Sequence, residues 1–159
     1  MTPLSVPLAA LGLVLAVAGA AKLWRPGDTA RALGAVASRR VPPGLVRGIA
    51  ACELALGLLT LSVGGRLVTS LVASLVAASY AGFAVFVAIA LVTDAPIATC
   101  GCFGEPDTPP TVAHLVTCAA GAALAAWAAA EPPAPLLSSV AHHPTDAFGL
   151  VVLTCARPR

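Results

Sequence analysis

The chain has 159 residues, 58% of them hydrophobic and only 10% charged, with a net charge of +2 and a mean hydropathy of +0.93. A soluble domain carries about 25% charged residues, so lipid must replace water over much of this surface. The small net charge argues against a nucleic-acid partner, and an odd count of five cysteines in a long, helix-forming chain argues against a secreted disulfide scaffold.

Leu4 to Leu23 is a nearly unbroken apolar run, close to the ~20 residues that cross a ~30 Å hydrocarbon core. Ala16-Val17-Ala18 looks like a cleavage site, but no basic residue precedes the run, so a retained first span over 4–23 is expected. Trp24 and Arg25 suit a membrane interface. Asp28 is placed to cap a short helix running to Ser38. Its apolar residues Ala32, Leu33, Ala35 and Val36 approximate one face, with Arg31, Arg39 and Arg40 elsewhere. Such a helix is expected to lie in the interface plane. The wider basic cluster, from Lys22 to Arg47, suits either a solvated loop or anionic lipid headgroups.

Val41-Pro42-Pro43-Gly44 breaks the chain, with Pro43 suited to the first turn of a second span over 45–63 that holds Cys52 and Glu53. Gly64-Gly65 is a tight turn, so the third span, 66–92, runs antiparallel to the second. The third span is longer than a bilayer requires and is expected to tilt or protrude. A polar loop with several prolines follows, and then a fourth span over 111–130. Ala73, Ala77 and Ala81 on the third span and Gly121, Ala125 and Ala129 on the fourth form ridges of small side chains suited to close helix packing. The expected architecture is all-α: an integral membrane four-helix bundle over 1–131 with a short interfacial helix between the first two spans, then a Pro-containing tail over 132–159.

The chemistry concentrates in Cys100-Gly101-Cys102-Phe103-Gly104, between the third and fourth spans. A disulfide needs Cα atoms about 4.4–6.8 Å apart, whereas two residues of extended chain reach about 6.6–7.2 Å. The backbone must bend between the cysteines, and Gly101 permits it. Gly104 adds a second permissive position, and Phe103 is an anchor for the turn. A bent, strained disulfide is more oxidising and more labile, which favours a cycling pair over a staple. Two unpaired loop thiols are the alternative.

Glu53 is an ionisable residue within a span, which makes it a functional candidate. It is equally a structural ion-pair partner for Lys22. The two meet if Lys22 reaches inward or the second helix starts late, because Glu53 lies about 15 Å into that helix by helical rise. His114 and Cys118 are four apart and share a helix face. His114, one turn from the loop, is a candidate base for raising the thiolate fraction of Cys100 or Cys102. Cys52 and Cys118 are either buried small hydrophobes or auxiliary redox partners. Cys155 lies in the tail and is assigned no role. Cys100, Cys102, His114 and Cys118 together would also make a soft-metal donor set, so a metal-binding membrane protein is the alternative to a dithiol protein.

With these residues assembled, the chain resembles the MauE family of DoxX-like membrane proteins. The resemblance rests on Ala18-Gly19-Ala20-Ala21-Lys22-Leu23, Glu53-Leu54 and Cys100-Gly101-Cys102-Phe103-Gly104, in that order, and covers roughly residues 4 to 130. It implies a four-helix integral membrane protein that helps disulfides form in a disulfide-rich periplasmic subunit during methylamine dehydrogenase biosynthesis. It also implies polar residues in the fourth span, where this chain has His114-Leu115-Val116-Thr117-Cys118.

The expected function is therefore thiol–disulfide exchange through Cys100 and Cys102. The expected partners are the lipid bilayer and a thiol-containing client or redox protein, with no tightly bound cofactor and a quinone as the candidate electron acceptor. The basic cluster would draw the loop end to the cytoplasm, whereas disulfide chemistry belongs outside. The dithiol and the resemblance together favour the extracytoplasmic side of the plasma membrane.

Overall fold

Helix-forming residues run between the Pro and Gly breaks, and the helices follow those breaks. The computed structural model describes residues 4–62, 64–93 and 110–133. They form α1 (Ser5–Trp24), α2 (Pro26–Ala37), α3 (Pro43–Ser62), α4 (Arg66–Val92) and α5 (Val112–Ala130), with no strand among the described residues. α1, α3, α4 and α5 are each long and apolar enough to cross a membrane. Leu13, Val17, Leu58, Leu67, Leu71, Leu75, Val85 and Val116 all point outward, an apolar exterior that suits lipid and not water.

Two antiparallel pairs, α1 with α3 and α4 with α5, make the most extensive contacts. Leu8 and Leu15 of α1, Ala73, Val76 and Tyr80 of α4, and Ala125 and Ala128 of α5 form the core that joins the pairs. Tyr80 carries a polar atom into this core and satisfies it by donating from Oη to the Leu11 carbonyl at 3.0 Å. Across α4 and α5, Ser70 Oγ donates to the Ala129 carbonyl at 2.7 Å. Ala73 and Ala125 of the expected ridges are fully buried and Gly121 is buried too, but Ala81 faces outward.

The tightest approach is between α1 and α3. A Cβ at Gly19 would lie 2.7 Å from both the Ala50 carbonyl oxygen and the Leu54 nitrogen. A Cβ at Gly12 would collide with Thr60, and one at Gly57 with the Gly12 carbonyl oxygen and Ala16. Only a missing side chain lets these backbones meet, as in other small-residue membrane interfaces. At the opposite turn Gly65 adopts φ +97, a left-handed conformation that glycine accepts without steric penalty.

α2 corrects one expectation. Its N-cap is Arg25 and Pro26 takes the first helical turn, so Asp28 is not the cap. Proline at that position has a preset φ and no N–H to leave unsatisfied. Asp28 instead lies in the first turn, where its charge suits the helix N-terminus, and accepts a hydrogen bond from exposed Arg31. α2 folds back on the bundle: Ala32 and Val36 pack against Phe86 and Ala90 near the end of α4. Trp24, at the end of α1, is 86% exposed, where an aromatic anchor meets the interface.

Candidate functional site

The residues that join α4 to α5 leave from Thr93 and return at Pro110. Cys100, Gly101, Cys102, Phe103, Gly104 and Cys155 lie outside the described residues. The described candidates gather at the end of the bundle from which that segment departs.

The centre of this end is a buried ion pair. Lys22 Nζ donates to Glu53 Oε2 at 2.6 Å, and the two residues are only 5% and 6% exposed. The close approach at Gly19 sets the register, with Gly19 facing Ala50 and Leu54, and Gly57 facing Gly12 and Ala16. On that register Glu53 sits about four residues, ~6 Å, deeper than the position opposite Lys22. Side chains lean toward the N-terminus of their own helix. In an antiparallel pair, Lys22 therefore leans inward and Glu53 leans toward the loop end, so they converge. Of the two routes by which this pair can form, the chain uses the inward reach of Lys22. Its position in the last turn of α1 also places positive charge at the negative end of that helix.

Phe83 of α4 completes the arrangement, with Lys22 Nζ 4.3 Å from its ring centroid. Phe83 in turn meets Tyr80 edge-on, ring centroids 6.0 Å apart. Beside the pair lies a cavity of about 130 Å³. Lys22, Glu53, Ile49, Phe83 and Phe86 line it, with Thr29 and Leu33 of α2 on one side, and the surface they present to it is almost wholly apolar. Gly82 leaves a gap in the α4 wall. Phe83, Phe86, Gly82 and Thr29 were not singled out in the sequence. A helix-spaced Phe83 and Phe86 close to a polar loop was the available signal, but it has the same appearance as ordinary core packing.

His114 stands at the start of α5. Thr111 Oγ1 accepts from the His114 backbone N–H at 3.3 Å, and the Thr111 backbone N–H donates to His114 Nδ1 at 3.3 Å. This is a reciprocal cap with histidine in the position that Glu or Gln usually fills. Cys118, one turn further, is fully buried. Cys52 departs from the buried reading: it is exposed on the outer face of α3, where a small side chain meets lipid. Among the described residues, no group of three or more His, Cys, Asp or Glu side chains converges to hold a metal.

Lys22, Glu53, Phe83 and the capped His114 thus lie toward the end of the four-span bundle at which α4 ends and α5 begins. Comparison with curated proteins and with solved structures returns no match. The family model described as methylamine utilisation protein MauE matches residues 2–131, all four spans and α2 included, and the chain belongs to that family of integral membrane proteins with a role in methylamine utilisation.

Proposed function

We propose that this protein is a membrane thiol–disulfide oxidoreductase, or disulfide-maturation factor, acting through Cys100 and Cys102 on the extracytoplasmic side of the plasma membrane. The observation that supports the reading is the Cys-Gly-Cys sequence between α4 and α5, two helices that end and begin on the side of the bundle where Lys22 and Glu53 are buried. On this reading the membrane-fixed bundle is the platform for the dithiol and for its encounter with a client. A client dithiol attacks the Cys100–Cys102 disulfide, the client leaves oxidised, and both thiols are regenerated on this chain. A two-electron acceptor in the membrane then restores the disulfide by taking two electrons and two protons.

The exchange predicts that acid-trapped membranes contain the Cys100–Cys102 peptide in both oxidised and reduced forms. A pulse of dithiothreitol should shift it to the reduced form, and washing should return it. A pair that stays in one state throughout refutes the cycle. So does unchanged client oxidation in a Cys100→Ser/Cys102→Ser variant present at normal level. For the side of the membrane, a membrane-impermeant maleimide should label reduced Cys100 and Cys102 in intact cells. Labelling that requires permeabilised cells places the pair in the cytoplasm.

A further inference from the structure

A second, larger cleft opens where the chain turns from α2 into α3. It measures about 800 Å³, within the ~300–1,000 Å³ of sites for small molecules. Three arginines, Arg31, Arg39 and Arg40, line it. We infer that this cleft binds the phosphate headgroup of an anionic phospholipid, with the guanidinium groups as its donors. The site is separate from the thiol–disulfide reading, and neither depends on the other.

The local sequence builds the cleft. Gly27, Ala30, Arg31, Gly34 and Ser38 fall at helical spacing and share one face of α2. Two glycines and an alanine leave the floor of that face low. Ser38 then takes φ 51, a left-handed conformation that ends the helix, and the Arg39 backbone N–H donates to the Gly34 carbonyl at 3.2 Å. A Cβ at Gly34 would lie 3.0 Å from the Arg39 carbonyl oxygen, so glycine lets the chain fold back this closely. The turn brings Arg39 and Arg40 to the cleft that Arg31 lines, and Pro43 brings the start of α3 to it.

Charge sets the sign of the ligand. Asp28 accepts from Arg31, and among the described residues neither Arg39 nor Arg40 pairs with a carboxylate. The positive end of the α3 dipole adds to them. A guanidinium presents a planar fork of N–H donors that matches the oxygens of a phosphate. Position sets the source of the phosphate. The spans α1 and α3 end and begin at this level, and Trp24, 86% exposed, marks the interface. Leu45 and Ile49, in the first two turns of α3, are 56% and 44% exposed and offer apolar surface to acyl chains. A lipid uses both the arginines and this surface, whereas free phosphate uses only the arginines. A zwitterionic headgroup brings its own cation among three guanidinium groups, so the net charge of the headgroup is negative.

Native mass spectrometry of the full-length protein in neutral-detergent micelles tests this, by titration with dioleoyl phosphatidylglycerol or with the phosphatidylcholine of the same chains. Phosphatidylglycerol should bind ~10-fold or more tightly, about 1.4 kcal/mol. Arg39→Gln/Arg40→Gln should remove most of that preference, and Arg66→Gln, beyond the far end of α3, should keep it. Shape separates a site from diffuse attraction to positive charge. Gly27→Leu fills the cleft floor without changing charge, and a Cβ there meets nothing within 4 Å, so α2 tolerates it. It should weaken phosphatidylglycerol binding by ~3-fold or more, about 0.7 kcal/mol. Gly48→Leu, likewise open at Cβ and outside the cleft, should leave binding unchanged. Thermal unfolding checks that each variant is folded. Equal affinity for the two lipids overturns the proposal, as does binding indifferent to Arg39→Gln/Arg40→Gln or to Gly27→Leu. Displacement of the lipid by millimolar inorganic phosphate also overturns it and leaves a site for a free anion. A preference that emerges only with Asp94→Asn/Glu105→Gln/Asp107→Asn overturns it too, and makes the chain's own carboxylates the occupant.

Discussion

Replacing Lys22 with methionine tests whether the buried pair behaves as a pair of charges. Methionine keeps an unbranched chain of similar reach and removes the ammonium, leaving the Glu53 carboxylate 6% exposed with its partner at 2.6 Å gone. Removing one member of a buried ion pair costs about 3–5 kcal/mol, because the remaining charge is stranded. The same substitution removes the ammonium from over Phe83, 4.3 Å from its centroid, a contact worth up to ~2 kcal/mol when desolvated. The loss should therefore fall toward the upper part of that range. Replacing both partners, Lys22→Met with Glu53→Leu, should recover most of it, since well-packed apolar residues often match a buried ion pair in stability.

The assay is reversible unfolding in mixed micelles by titration with a denaturing detergent, read by the fluorescence of Trp24 and Trp127. The four-protein cycle of wild type, two single variants and the double variant isolates the coupling. A Lys22→Met cost below ~1 kcal/mol, or a coupling below ~0.5 kcal/mol, would refute the reasoning. The pair would then be no stronger than a surface contact, and its depth in the bundle would carry no energetic meaning.

Three further outcomes follow from the same geometry. Thr111→Ala removes the hydroxyl that caps α5 and should cost about 1 kcal/mol, with hydrogen exchange faster in the first turn of α5 and unchanged in α3. Cys118→Phe inserts a ring where no surface is exposed and should destabilise by ~1–3 kcal/mol through overpacking, measured by the same detergent titration. Cys52→Ala, on the lipid-facing surface of α3, should change stability by less than ~0.5 kcal/mol.

The spans were legible because apolar runs of membrane length end at Pro and Gly, signals that depend only on nearby residues. α4 matches its expected limits at both ends, 66 and 92, and α1, α3 and α5 shift by one or two residues. The start of α2 was less legible. Both Pro26 and Asp28 are good residues for a first turn, and the choice depends on where α1 ends, two residues earlier. The α1–α3 seam was harder still. Gly12, Gly19 and Gly57 are no more evident in the sequence than the alanine ridges of α4 and α5, because close backbone approach depends on which helices become neighbours. Pair partners for Lys22 were legible by charge, since Glu53 is the acid within a span, but their meeting needed the direction in which side chains lean. The cavity was not legible: its walls come from three helices, α2, α3 and α4, and from the last turn of α1.

The seam and the ion pair are one device, and Gly19→Ala makes that testable. The added Cβ would come within 2.7 Å of the Ala50 oxygen and the Leu54 nitrogen. Both are backbone atoms that cannot turn aside, so α1 and α3 must part by up to ~0.8 Å to regain ordinary contact near 3.5 Å. Lys22 is three residues beyond Gly19, and Glu53 adjoins Leu54, so the parting falls directly at the pair. It lengthens the ion contact and opens a path for water, and Coulomb energy falls with both distance and effective dielectric. The Lys22–Glu53 coupling measured by the double-mutant cycle should therefore fall by more than half in a Gly19→Ala background. In a Gly48→Ala background, where a Cβ meets nothing within 4 Å, the coupling should be unchanged. If Gly19→Ala lowers overall stability but leaves the coupling intact, the flexible lysine chain follows the carboxylate and the close approach serves packing alone. If the coupling collapses with it, the glycine that lets two backbones touch is also what holds a charged pair in a dry site.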